Sequence, residues 1–137
     1  MSTVTQTASL SPASTPATRL WLGRVLSALA ALFLFVDGIT KALQVAPVVE
    51  SSAQLGYSAP VTLGIGVLLL VCLAVYLIPQ TAPLGAILLV GYLGGAIATH
   101  VRFGSPLFSV LFPVIVGVLL WLGLYLRDVR LRALLSL

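Results

Sequence analysis

Charge is what this sequence has least of. Of its 137 residues 7% are charged, with seven Lys+Arg against three Asp+Glu. A soluble domain carries roughly 25%, and so few charges cannot cover a 14.3 kDa globule in water. That excludes an ordinary soluble enzyme, a disordered chain and a nucleic-acid binder. The pI of 9.9 does not restore the last of these, because the cations are scattered rather than clustered. Cysteine is nearly absent too. Cys72 is the one thiol, so neither an intrachain disulfide nor a CxxC redox pair can form. His100 is the one histidine and the initiator the one methionine, so one chain lacks the two axial ligands of a buried haem. A zinc or di-iron site needs three or more close ligands. Asp37, Glu50 and His100 are the candidates, and Lys41 competes for the carboxylates. A Ser-His-Asp set is not credible with a single His at a helix end. An independent enzyme is not expected.

What is abundant is hydrophobicity: 60% of residues, with a mean hydropathy of +1.18. A membrane helix needs about 20 mostly apolar residues to cross ~30 Å of hydrocarbon. Four segments meet this, at about 20–43, 60–78, 82–101 and 107–126. The second to fourth lack Asp, Glu, Lys and Arg. Their runs are continuous rather than alternating, which excludes a porin-like barrel. The expected fold is all-α, an integral membrane four-transmembrane-helix bundle. Residues 1–18, rich in Ser, Thr, Ala and Pro, read as a flexible cytoplasmic tail, and 19–137 as the membrane domain. The links at 79–81 and 102–106 are short and force antiparallel neighbours. The longer first link has Pro47 to open a short helix and Gly56 to end it. Val48, Ser52 and Leu55 then share one face of a small helix lying at the membrane surface. Pro113 is expected to bend the fourth span or end a first turn.

Orientation follows from the positive residues near the span ends. Arg19, Arg24, Arg127, Arg130 and Arg132 flank one side, and Lys41 and Arg102 the other. Both termini are therefore expected in the cytoplasm, with Trp21 and Trp121 at that interface.

An ionisable group inside a span costs ~2.5–3.5 kcal/mol on insertion scales. Asp37 and Lys41 lie four apart and so can neutralise each other. They continue a stripe of Gly23, Ser27, Ala30 and Leu34 that should face the other helices. The pair reads either as the wall of a polar site or as a structural ion pair. In the third span Gly91 and Gly95 form GxxxG, and Gly94 and Ala98 form small-xxx-small, a face suited to close helix packing within the chain or with another copy. On a regular helix His100 lies opposite Gly91, whereas Arg102 lies on the glycine side. Asp37, Lys41, Glu50, Tyr57, His100 and Arg102 collect on the extracytoplasmic side and are the candidate ligand-binding residues.

Several blocks in order resemble the DoxX-like family of small bacterial membrane proteins. They are Gly23-Arg24-Val25-Leu26, Asp37-Gly38 followed by Lys41, and Pro47-Val48-Val49-Glu50 leading to Leu55-Gly56-Tyr57. Then come Gly85-Ala86-Ile87-Leu88, Gly91 to Ala96, Ala98 to Arg102, Pro106-Leu107 and Leu124 to Asp128. The resemblance spans about residues 22–135. It implies a four-helix bundle in the bacterial cytoplasmic (inner) membrane. It also implies an association, in relatives, with thiosulfate:quinone oxidoreduction and oxidative-stress complexes, an activity that uses partner subunits. The expectation is an accessory or anchoring subunit that packs with partners or with its own copies in the lipid bilayer and supports quinone-linked redox processes. Quinone is the cofactor class that this leaves open. The alternatives are a small-molecule carrier or channel whose path runs beside Asp37 and Lys41, and a quinone-linked redox enzyme.

Overall fold

The computed structural model describes residues 17–135. Most of the sequence-defined tail, residues 1–16, lies outside the described residues. The described part is six helices joined by short turns: α1 (Ala17–Ala42), α2 (Ala46–Gln54), α3 (Ala59–Leu77), α4 (Ala82–Phe103), α5 (Leu107–Arg127) and α6 (Val129–Leu135). α1, α3, α4 and α5 are long and apolar enough to cross a membrane. They match the four expected spans within three residues at each end. α1 reaches three residues further toward the N-terminus than the expected span, to Ala17. α5 runs unbroken through Pro113.

The ends follow from local chemistry. Pro falls in the first turn of α2, α3 and α4, where its missing N–H is not needed. α2 and α4 end on Gly56 and Gly104, both left-handed (φ 95° and 79°). In each case the following N–H bonds back five residues: Tyr57 to Ser52 O and Ser105 to His100 O. These are Schellman caps. α1 ends the same way, with Val45 N–H on Thr40 O, but its left-handed residue is Gln44 (φ 57°). The Gln44 amide Nε2 donates to Ala59 O at 2.8 Å, which ties this turn to the start of α3.

The four spans form a ring in the order α1, α3, α4, α5 and back to α1. Lipid offers no hydrophobic drive for helix association, so close backbone approach has to hold the ring. The expected stripe on α1 carries it: Gly23, Ser27, Ala30 and Leu34 are all buried. A Cβ on Gly23 would lie 2.8 Å from Gly123 O of α5, and one on Gly66 of α3 would lie 2.8 Å from Gly38 O. A Cβ on Gly85 of α4 would strike the Tyr76 backbone of α3. Tyr76 then crosses the interior, fully buried. Its OH donates to Leu120 O of α5 at 2.8 Å and lies 3.0 Å from Ser27 Oγ of α1. Leu69, Leu73, Leu89, Leu120 and Leu124 fill the space around it.

The arginine-rich end is closed by α6, which the sequence did not reveal. Asp128 caps it, accepting from Arg130 N–H (2.9 Å) and Leu131 N–H (3.2 Å) on Oδ1. Leu131 is buried, and Arg130 Nη2 donates to Pro79 O in the α3–α4 turn at 2.7 Å. Burial opposes ionisation of Asp128, but the Leu131 and Arg130 hydrogen bonds and the Arg130 charge outweigh it and hold the carboxyl below its usual value.

Two predictions test this packing. Gly85→Leu should cost about 1–3 kcal/mol or more by overpacking, whereas Gly64→Leu, where a Cβ meets nothing within 4 Å, should stay within ~0.5 kcal/mol. Unfolding in mild detergent measures both; equal stability of the two variants would contradict the α3–α4 contact. Asp128→Ala should weaken α6 docking by about 1 kcal/mol. Because the folded pKa is depressed, this contribution is complete above the ordinary carboxylate value and is lost as pH falls through the folded one. Protection factors of the α6 amides between pH 6 and pH 3, corrected for intrinsic exchange, report that loss.

Candidate ligand site at the α2 end of the bundle

The polar residues of the opposite end converge between α1 and α4, which face each other across the ring and meet there through their side chains. Lys41 Nζ donates to Asp37 Oδ2 at 2.6 Å and to Tyr92 OH at 3.2 Å. Tyr92 OH in turn lies 3.4 Å from Asp37 Oδ2. The three groups form a triangle across the ring. An ammonium has three N–H donors, so one remains for a further acceptor. The pair is partly buried, with side-chain exposures of 17% for Lys41 and 30% for Asp37, and its formal charges cancel.

Two cavities flank α4 at this level. One, about 340 Å³, lies between α3 and α4 beneath α2. The other, about 250 Å³, lies among α1, α4 and α5, beside Asp37, Phe33 and Phe112. Lys41, Tyr92, Ala96 and His100 line both and form the wall between them. The first cavity has the apolar walls and few convergent polar groups of a small-molecule site. Its roof is α2 and the turn after it: Ser52, Leu55 and Tyr57. The expected shared face of α2 turns inward: Ser52 is buried and Val48 and Leu55 are half-buried. Thr99 Oγ1 donates to Gly95 O at 2.9 Å. Its one proton is thereby used, so Tyr57 OH donates to Thr99 Oγ1, at 2.7 Å. That bond fastens the roof to α4.

Not every candidate residue joins this site. Asp37, Lys41, Tyr57 and His100 do. Arg102 lies beside Gln54, Tyr57 and Thr99 in a separate cavity of about 330 Å³. Glu50 is exposed on α2 and lines none of these three cavities. The helical wheel sets His100 and Gly91 on opposite faces, yet both line the α3–α4 cavity, because that cavity wraps around α4. His100 Nδ1 lies 3.0 Å from Ser105 Oγ, which leaves Nε2 for a second partner. The glycine face makes no close contact within the chain: a Cβ on Gly91, Gly94 or Gly95 meets nothing within 4 Å, and Ala98 is exposed. Tyr92 was missed as a site residue. Its signal was a hydroxyl in mid-span, but its partners are 51 and 55 residues away. Among the described residues no three His, Cys, Asp or Glu side chains gather into a metal site.

Four apolar spans, and a half-open cavity against a charge-neutral polar cluster near their ends, define a small polytopic membrane protein with a ligand-sized recess. Its sequence matches the DoxX-like family over residues 25–123, and the chain belongs to that family. No curated protein and no solved structure matches it.

If the Asp37–Lys41 pair is a neutral unit, breaking it from either side leaves a charge at membrane depth. Lys41→Met and Asp37→Asn should each destabilise by about 2–3 kcal/mol. The double variant should recover most of that loss. Unfolding of the three variants in lipid nanodiscs gives the coupling; additive losses would contradict the neutral pair.

Proposed function

We propose that this DoxX-like protein is an accessory or anchoring membrane subunit that holds a small quinone-like amphipathic molecule at the α2 end of its bundle. One observation carries the reading. Lys41, Tyr92 and His100 converge on the wall of a cavity that is otherwise mostly apolar. A head group bearing carbonyl oxygens would accept hydrogen bonds from Lys41 Nζ and from the free edge of His100, while its tail stays in hydrocarbon. The excess of arginine at the other end favours an orientation with both termini in the cytoplasm, and in that orientation the recess would face the extracytoplasmic side of the inner membrane. The outer face of α4, where Gly94 and Ala98 are unpacked, is the surface offered to a partner subunit or a second copy.

The carrier reading sends a solute past Asp37 and Lys41 and on through the bundle. The buried layer of Leu69, Leu73, Tyr76, Leu120 and Leu124 lies beyond that pair, which favours a recess over a passage.

The test is native mass spectrometry of protein extracted gently from its own membranes. The proposal expects a retained quinone or redox subunit, with the quinone lost at least tenfold in His100→Ala. A bare homo-oligomer carrying ordinary phospholipid would contradict it.

A further inference from the structure

The α3–α4 cavity has one closed end and one open flank. Its water-facing end is roofed by α2 and fastened by the Tyr57–Thr99 hydrogen bond (2.7 Å). Its flank is lined by Ile65 and Leu68 on α3 and by Gly91 and Gly95 on α4. All four lie inside membrane-spanning helices. Leu68 is 55% exposed, and both glycines are exposed with free space where a Cβ would stand. The flank therefore opens toward hydrocarbon.

From this we infer that the cavity is loaded sideways from the bilayer, through a window between α3 and α4 whose sill is the missing side chains of Gly91 and Gly95. The inference rests on the ligand reading above and adds the route, the residues that set it and the chemistry of what passes. A molecule arriving through hydrocarbon leaves its water behind, so a net charge on it is costly. The cluster it meets is itself neutral, Lys41 being matched by Asp37 at 2.6 Å. The class admitted is a neutral, lipid-soluble molecule with a hydrogen-bond-accepting head of about one ring. Gly91 and Gly95 thus take a different role from Gly94, on the same helix. Gly94 lines an apolar groove with Gly117, Pro113 and Trp121 of α5 and not the cavity. The GxxxG pair serves access, and the Gly94–Ala98 edge is left for packing.

The probe is a short-tailed azido-benzoquinone, photolysed with the full chain in nanodiscs of neutral phospholipid. Wild type should label on α3 or α4 near Leu68, Tyr92 or His100, and excess unlabelled quinone should suppress it where excess phospholipid does not. Gly91→Leu and Gly95→Leu should each lower labelling at least tenfold with oligomeric state unchanged, while Gly94→Leu should label like wild type. Leu68→Trp narrows the window from α3 and gives the same expected loss if a glycine variant fails to fold. Wild-type labelling in the glycine and Leu68→Trp variants would overturn the window and leave the site standing. Equal loss in Gly94→Leu would overturn it in favour of helix packing. Suppression by phospholipid would mean that lipid fills the recess, overturning the selectivity claimed here. No labelling of wild type would remove the ligand reading itself, and the window with it.

Discussion

Helices in a bilayer gain nothing from hiding apolar surface, since lipid is as apolar as leucine. This bundle therefore depends on how closely its backbones meet at α1. Gly23 lies against Gly123 of α5, and Gly38 against Gly66 of α3. These approaches make α1 the seam that closes the ring. Tyr76 adds the cross-link that side chains without polar atoms cannot supply, joining α3 to α1 and α5 within the interior. The two ends then diverge. Near the arginines, α6 and Leu131 cover the mouth. At the other end the glycines of α4 face outward, and the interior loosens into two cavities separated by Lys41, Tyr92, Ala96 and His100.

That asymmetry supports a reading of the protein as a holder rather than a conduit. A charged pair inside a membrane calls for an explanation. Here Lys41 and Asp37 cancel each other and orient Tyr92, and one ammonium N–H is left over. In the proposed function the pair both fixes Tyr92 and presents a donor to a ligand. The two roles do not compete, because they use different protons of the same group.

Much of the fold was legible because bilayer thickness and hydrophobic run length are directly linked. The four spans, the short α2 helix with Pro47 and Gly56 at its ends, and the buried stripe from Gly23 to Leu34 all follow from spacing. The site was legible in part. Asp37 and Lys41 announce themselves four residues apart on one helix. Tyr92 does not, because it meets them across the ring from another span. His100 was set apart from Gly91 by a wheel that treats a site as a direction from one helix, whereas the cavity curves around α4. The glycines show the same limit. Spacing picks out Gly91 and Gly95 as a face but says nothing of what that face meets. The closest backbone approach of α3 and α4 rests on Gly85, which carries no GxxxG signature.

The most direct test of the account is a cryo-EM structure of the protein in nanodiscs drawn from its own membrane, resolved well enough to see a head group. The account predicts a ring-sized density between α3 and α4, beneath Tyr57, within hydrogen-bond distance of Lys41 or His100, with a tail leaving past Gly91 and Gly95. A recess filled by a helix of a neighbouring subunit, or by an acyl chain with no head group at Lys41, would contradict it.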